Sequence, residues 1–359
     1  MHPWRHRFTQ RALTITILTL AQHGAARAQS AVGPELSFTG RVHAQFATSS
    51  ADEALSSEFL LRRARVTALI KVSDLVSGKI QPDFSGGSVS LRDANVELAF
   101  SPYLNVTMGQ FKRPFDVFEL ESSTRSLVVE RAGGIRGAGD CAGVGEICTL
   151  SRLTEKLQYS DRDVGAMIDG QLGRAPVSYA VSITNGEGAN KTDVNSGKSV
   201  TARIEYSILE DLEVAANVGV HDYENALDTS RSHATAWGVD VDWGSYGPGL
   251  HVQAGIIGGQ NWKSLELDGK PTTFSTAQGI ASYRFGIEGD PNVKGVEPLL
   301  RVSWADPNTD IGADRDVLVT TGVMLHFIGR NKIAANLEMW DPAQGTGEWS
   351  LKVQTYLHF

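Results

Sequence analysis

Cysteine is nearly missing from this chain: only Cys141 and Cys148 occur among 359 residues. So small a number excludes a disulfide-built scaffold, which needs several bridges. No histidine stands near the pair to complete a zinc site, so metal binding is the weaker reading of the two thiols. In an oxidising compartment they would close a local disulfide, worth roughly 2 to 3 kcal/mol for so short a loop. Two unpaired buried thiols are the other reading.

Long apolar runs are equally scarce. The stretch Ala12 to Ala21 is the only one, and the mean hydropathy is −0.16. A helical membrane protein is excluded, because each helical span needs about twenty apolar residues. Positive charge is short as well, with 33 Lys and Arg against 41 Asp and Glu. Catalytic signatures are absent: there is no His-Glu-x-x-His and no Gly-x-Ser-x-Gly.

What is present begins at the amino end. Arg5, Arg7 and Arg11 precede Ala12 to Ala21, and Ala26-Arg27-Ala28 offers small residues at a cleavage site. Residues 1–28 are expected to be a secretory signal peptide, too short in its apolar part to span a bilayer. No cysteine lies near the expected cut, which argues against a lipoprotein. Cleavage would remove four of the 33 basic residues and no acid, leaving 29 against 41, a balance of −12. A nucleic-acid binder would show a basic face instead. A secreted soluble protein or a membrane β-barrel remains.

Residues 29–359 alternate between apolar and polar with period two, as strand side chains do. Val177, Tyr179, Val181 and Ile183 oppose Ser178, Ala180, Ser182 and Thr184, and Leu212 to His221 alternates likewise. Trp237, Val239, Val241 and Trp243 share one face, which suits an interfacial aromatic girdle. The pattern predicts an all-β, antiparallel transmembrane barrel of about sixteen strands, an even number as single-chain bacterial barrels require. The expected spans are 38–48, 58–71, 76–84, 89–100, 103–111, 163–173, 176–186, 198–207, 211–222, 232–244, 247–261, 273–288, 294–305, 315–328, 331–341 and 348–358. Short connections such as Ser101-Pro102 alternate with longer ones such as 187–197, the rhythm of periplasmic turns and extracellular loops. The last residues alternate up to Phe359, an ending that resembles the terminal Phe signal of bacterial outer-membrane barrels.

One connection breaks the rhythm. Residues 112–162, the third long loop, far exceed the length at which loops are usually functional or disordered. Phe115, Val117, Phe118, Leu120, Leu127, Val128 and Val129 give this segment apolar surface to bury. It is expected to fold into the lumen as a constriction rather than to stand outside as a mobile loop.

The segment and the strands before it resemble the phosphate-selective porins O and P of Gram-negative outer membranes. The matching pieces are Leu61-Arg62-Arg63-Ala64-Arg65, Leu91-Arg92-Asp93-Ala94, Ser101-Pro102 and Met108-Gly109-Gln110-Phe111-Lys112-Arg113-Pro114-Phe115. Glu119-Leu120-Glu121-Ser122-Ser123, Val129-Glu130-Arg131 and Asn185-Gly186-Glu187-Gly188 continue the match. The resemblance implies a trimeric sixteen-stranded outer-membrane porin with an anion-selective constriction, no cofactor and no metal. It also implies an anion site on Arg62, Arg63, Asp93, Ser122, Ser123 and Arg131, to which alternation adds Arg65. Guanidinium forks suit phosphate because they donate two charge-assisted hydrogen bonds to paired oxygens. Alternation puts Arg63 and Arg65 in the lumen but leaves Arg62 facing lipid or a neighbouring subunit unless a bulge turns it.

The predicted lumen wall argues the other way on charge. Asp93, Glu97, Glu205, Glu213, Asp240, Asp242, Glu297 and Glu338 stand against Arg203, Arg301 and Lys352, with Glu119 and Glu121 beside the paired serines. A general or cation-passing porin is therefore the alternative to a channel for small anions such as phosphate. An outer-membrane barrel enzyme is a further alternative, although His221, His251, His326 and His358 show no Ser and carboxylate arrangement.

Overall fold

The computed structural model describes residues 33–51, 56–225, 229–265, 269–312 and 314–359, so the expected signal peptide lies outside the described residues. Sixteen antiparallel strands form one closed barrel. The first eight are β1 (Glu35–Ser49), β2 (Ser57–Lys71), β3 (Val76–Asp83), β4 (Ser90–Ser101), β5 (Leu104–Lys112), β6 (Arg162–Gln171), β7 (Val177–Thr184) and β8 (Ser199–Leu209). The rest are β9 (Leu212–Glu224), β10 (Arg231–Gly244), β11 (Gly249–Leu265), β12 (Pro271–Gly286), β13 (Gly295–Asp306), β14 (Asp316–His326), β15 (Lys332–Pro342) and β16 (Glu348–His358). Every strand expected from the alternation exists, and no end is displaced by more than four residues.

Closure is made by β1 and β16, paired from Arg41 opposite His358 to Ser49 opposite Ser350. Phe359 extends that seam through hydrogen bonds with Gly40 in both directions, Gly40 N to Phe359 O at 2.8 Å and Phe359 N to Gly40 O at 3.2 Å. Its ring lies over Gly40, where a Cβ would come within 2.2 Å of it. Closing the sheet leaves neither the first nor the last strand as a free edge, which is what lets a sheet sit in hydrocarbon.

The two faces of the wall differ as the alternation requires. Phe38, Phe59, Leu61, Val239 and Leu300 point outward and are exposed, while His43, Gln45, Arg63, Arg65, Asp240 and Arg301 point inward and are buried. Two bulges near the start of the barrel interrupt this order. On β2 the register steps from His43 opposite Arg63 to Ala44 opposite Leu61, so Arg62 is the extra residue. On β4 it steps from Gln81 opposite Asp93 to Pro82 opposite Leu91, and Arg92 is the extra one. A bulge lets two successive side chains share a face, and here each adds a guanidinium to the interior.

Between β5 and β6 the chain crosses inside the ring of strands. It carries two short helices, α1 (Val117–Leu120) and α2 (Leu150–Lys156), capped by Asp116 and Thr149. Phe115, Phe118, Leu127, Val128, Val129, Leu150, Leu153, Leu157 and Tyr159 pack against inward residues of β9 to β16, among them Ile257, Phe274, Leu299, Met324 and Tyr356. In a water-filled barrel the alternative for these side chains is water, so each fully buried leucine contributes roughly 1.5 to 3 kcal/mol to docking. Polar ties complete the attachment: Val129 N donates to Asn336 Oδ1 at 2.7 Å, Cys148 N to Asp316 Oδ2 at 2.6 Å, and Leu150 N to Ser303 Oγ at 3.2 Å. Cys141 and Cys148 form a disulfide within this segment, their Cα atoms 5.0 Å apart.

Candidate functional site

Because the inner segment leans on β9 to β16, the open part of the interior lies against β1 to β4. There a cavity of about 1020 Å³ is bounded by the strands on one side and by the stretches 130–139 and 152–161 on the other. Among the described residues, nine basic side chains line it, against six acidic ones. The basic set includes Arg62, Arg63 and Arg65 of β2, Arg92 of β4, Arg131 and Arg152 of the inner segment, and Lys352 of β16. The chain as a whole carries −8, so the local sign is reversed where solvent meets the wall.

Several of the acids expected on the lumen wall are held by partners. Asp240 takes both terminal nitrogens of Arg203 at 2.7 Å each, with Glu205 at 3.2 Å from the same guanidinium. Glu338 accepts from Arg301 at 2.8 Å and pairs with Lys352, all three buried. Arg301 and Lys352 also hold the inner segment, donating to Glu130 O at 2.8 Å, Arg131 O at 3.0 Å and Gly134 O at 2.5 Å. Glu297 is paired with His326 and Asp242 with His251, each at 2.6 Å. Asp240, Glu205 and Glu338 are thereby paired with cations, and none of the carboxylates expected on the wall lines the open cavity.

Arg62 is turned inward by its bulge, and its fork grips Glu130 with Nε to Oε1 at 2.5 Å and Nη2 to Oε2 at 2.9 Å. Burial alone would raise the Glu130 carboxyl. The charge and hydrogen bonds of Arg62, with Arg63 and Lys352 behind it, outweigh that and hold it at about 2. Arg63 approaches His43 Nδ1 at 3.5 Å and leaves its Nε without a partner. Arg65 is paired with Asp83 at 2.6 Å. Arg131 is bound to Glu119 and, at 2.7 Å, to Glu121 O.

The remaining expected site residues lie apart from this cavity. Asp93 is buried between Arg162 at 2.7 Å and Lys79 at 2.8 Å, so it orients arginine and lysine side chains of the wall. Ser123 accepts from Arg41 Nη1 at 2.8 Å, and Ser122 bonds Thr124 at 3.1 Å. Neither serine lines the cavity that Arg62, Arg63, Arg65 and Arg131 share. Glu121, whose carboxyl burial pushes up, accepts from the Tyr246 hydroxyl. Arg92, Glu130 and Arg41 were not singled out by the sequence. Arg92 carried the signal nonetheless: Leu91-Arg92-Asp93, like Leu61-Arg62-Arg63, puts two charged residues after an outward leucine and so breaks the alternation.

Comparison with known proteins bears on the family and the fold. Residues 37–241 match the family model described as phosphate-selective porin O and P. No curated protein matches the sequence. Among solved structures, the anion-selective porin from Comamonas acidovorans superposes with a TM-score of 0.64 at 10% identity, covering 91% of this chain and 100% of that one. The outer membrane channel DcaP of Acinetobacter baumannii gives 0.61 at 15%, covering 90% and 98%. OmpT of Vibrio cholerae in its trimer form gives 0.58 at 11%, covering 90% and 100%. Identities this low establish a common fold and nothing finer.

Proposed function

Since the chain belongs to the phosphate-selective porin O and P family and forms an outer-membrane porin channel, we propose that it conducts small anions, phosphate among them, by passive diffusion. The observation that carries this reading is the reversal of charge at the open cavity, where basic side chains, two of them set on bulges, outnumber acidic ones among the described residues. Rings of arginine and lysine select anions by their field, and low-dielectric walls focus it. Residues 1–28 would serve as the signal peptide, removed before the barrel inserts among outer-membrane lipids of a Gram-negative cell. The inner segment acts as the constriction, and assembly is expected to be a homotrimer, the form in which OmpT is known.

Planar-bilayer recording tests the proposal. Reversal potentials across a chloride gradient should show anion preference, and an Arg63→Ala, Arg131→Ala double variant should lower it. Cation preference in the unmodified protein would overturn the anion reading while leaving the porin. The six carboxylates among the cavity's lining favour one second reading, a general porin with weak preference. That reading expects no change in the double variant.

A further inference from the structure

The inference here rests on the anion-conducting reading and concerns what occupies its arginine site between permeation events. Arg62 is placed at the cavity wall by the β2 bulge, yet its fork is already filled by both oxygens of Glu130. Two parallel N–H···O bonds are the geometry in which a guanidinium holds any two-oxygen anion. We propose that Glu130 is a tethered stand-in for the permeant, and that oxyanions enter the site by displacing its carboxylate from Arg62.

Several features make that exchange feasible. The Glu130 carboxylate bonds only Arg62 among the described residues, whereas its backbone oxygen is held by Arg301 at 2.8 Å. Side-chain rotation therefore releases the fork without undocking the segment. A displaced carboxylate has a place to go, because Arg63 stands next to Arg62 with no carboxylate partner among the described residues and an unused Nε. The number of ion pairs is conserved as the anion takes Arg62 and Glu130 takes Arg63. Leaving a buried Glu130 charge unpaired would cost several kcal/mol, so the second arginine is what keeps the barrier low.

The chemistry also sorts solutes. A phosphate or carboxylate presents two oxygens to Nε and Nη2 and can replace Glu130 bond for bond, whereas a halide offers one centre and cannot. Glu130 then sets specificity for oxyanions as a class, by being the competitor that only an oxyanion matches. A merely structural Glu130, pinning the segment to β2, would make the opposite prediction on removal: a looser segment and a weaker site.

The test is block of chloride current by added inorganic phosphate, with acetate as a second arm and bromide as the one-centre control, in the purified full-length protein. Glu130→Gln removes the competing charge while keeping size. It should lower the half-blocking phosphate concentration about tenfold, the scale expected when one charge-assisted competitor is removed, and bromide should not block either protein. Arg62→Lys, which keeps the charge but loses the fork, should weaken phosphate block both in the unmodified protein and when combined with Glu130→Gln. Acetate following phosphate marks the site as one for oxyanions in general, and acetate without effect overturns that breadth. If Glu130→Gln does not assemble, Glu130→Asp, too short to reach both nitrogens, should tighten block in the same direction. Phosphate block that is unchanged or weakened in the Glu130 variants, with anion preference intact, overturns this inference alone. Absence of anion preference in the unmodified protein overturns the conducting reading beneath it.

Discussion

Glu155 lines the arginine cavity from α2, and burial first, then the nearby Glu119 and Asp161, push its carboxyl up to about 7. A carboxyl raised in the folded state favours folding when protonated, so its contribution is complete below the ordinary glutamate range. It is lost as the pH climbs through about 7. Ionisation also adds a negative charge to the cavity. Anion preference in reversal-potential measurements should therefore fall between about pH 6 and 8, and Glu155→Gln should flatten that dependence. Asp116 is likewise pushed to about 7, by burial and then by Asp240, but it does not line the cavity. Its ionisation should loosen docking of the segment without changing the sign of selectivity, so Asp116→Asn leaves the selectivity profile in place. Neither shift was legible in the sequence, since each comes first from burial that only the docked segment creates.

At the level of strands, alternation is a local signal, and it was enough to place all sixteen. Side chains two apart face the same way, so lipid on one side and water on the other write themselves directly into the order of residues. The bulges were harder to see, because one extra residue is defined by the partner strand and not by its own neighbours. Arg62 consequently reads as outward-facing until His43 and Ala44 are set against Arg63 and Leu61. The β1 and β16 seam offers a check on the same scale. Gly40→Leu would place a side chain where the Phe359 ring sits, with a Cβ only 2.2 Å from its nearest atom. The ring must swing away, and the variant should yield less heat-modifiable barrel in detergent gels than the unmodified chain. If its yield is unchanged, the ring's position over Gly40 does not matter to closure.

For the whole molecule, the charge of the pore depends on which part of the wall faces solvent. A tally of inward residues weights every strand equally and returns an acidic lumen. The inner segment, which follows β5 and leans on β9 to β16, removes much of that wall from the count. No property of the wall strands alone announces which of them will be covered. The triad of Arg301, Glu338 and Lys352 shows how the coverage is held, since both cations also bind backbone oxygens of the segment. Removing one partner of a buried ionic group typically costs about 3 to 5 kcal/mol. Glu338→Leu should therefore unsettle the segment, seen as noisier and larger single-channel currents. An unchanged trace would mean that the apolar contacts suffice.

The lopsided seat of the inner segment also has a consequence for change. Inner residues of β9 to β16 are constrained by what is packed on them, and a substitution there is felt first as a fault in assembly. The residues of β1 to β4 that border the cavity answer mainly to solvent and solute. A porin on this plan can be retuned to another solute by editing about a quarter of its staves, while the others keep the vessel tight.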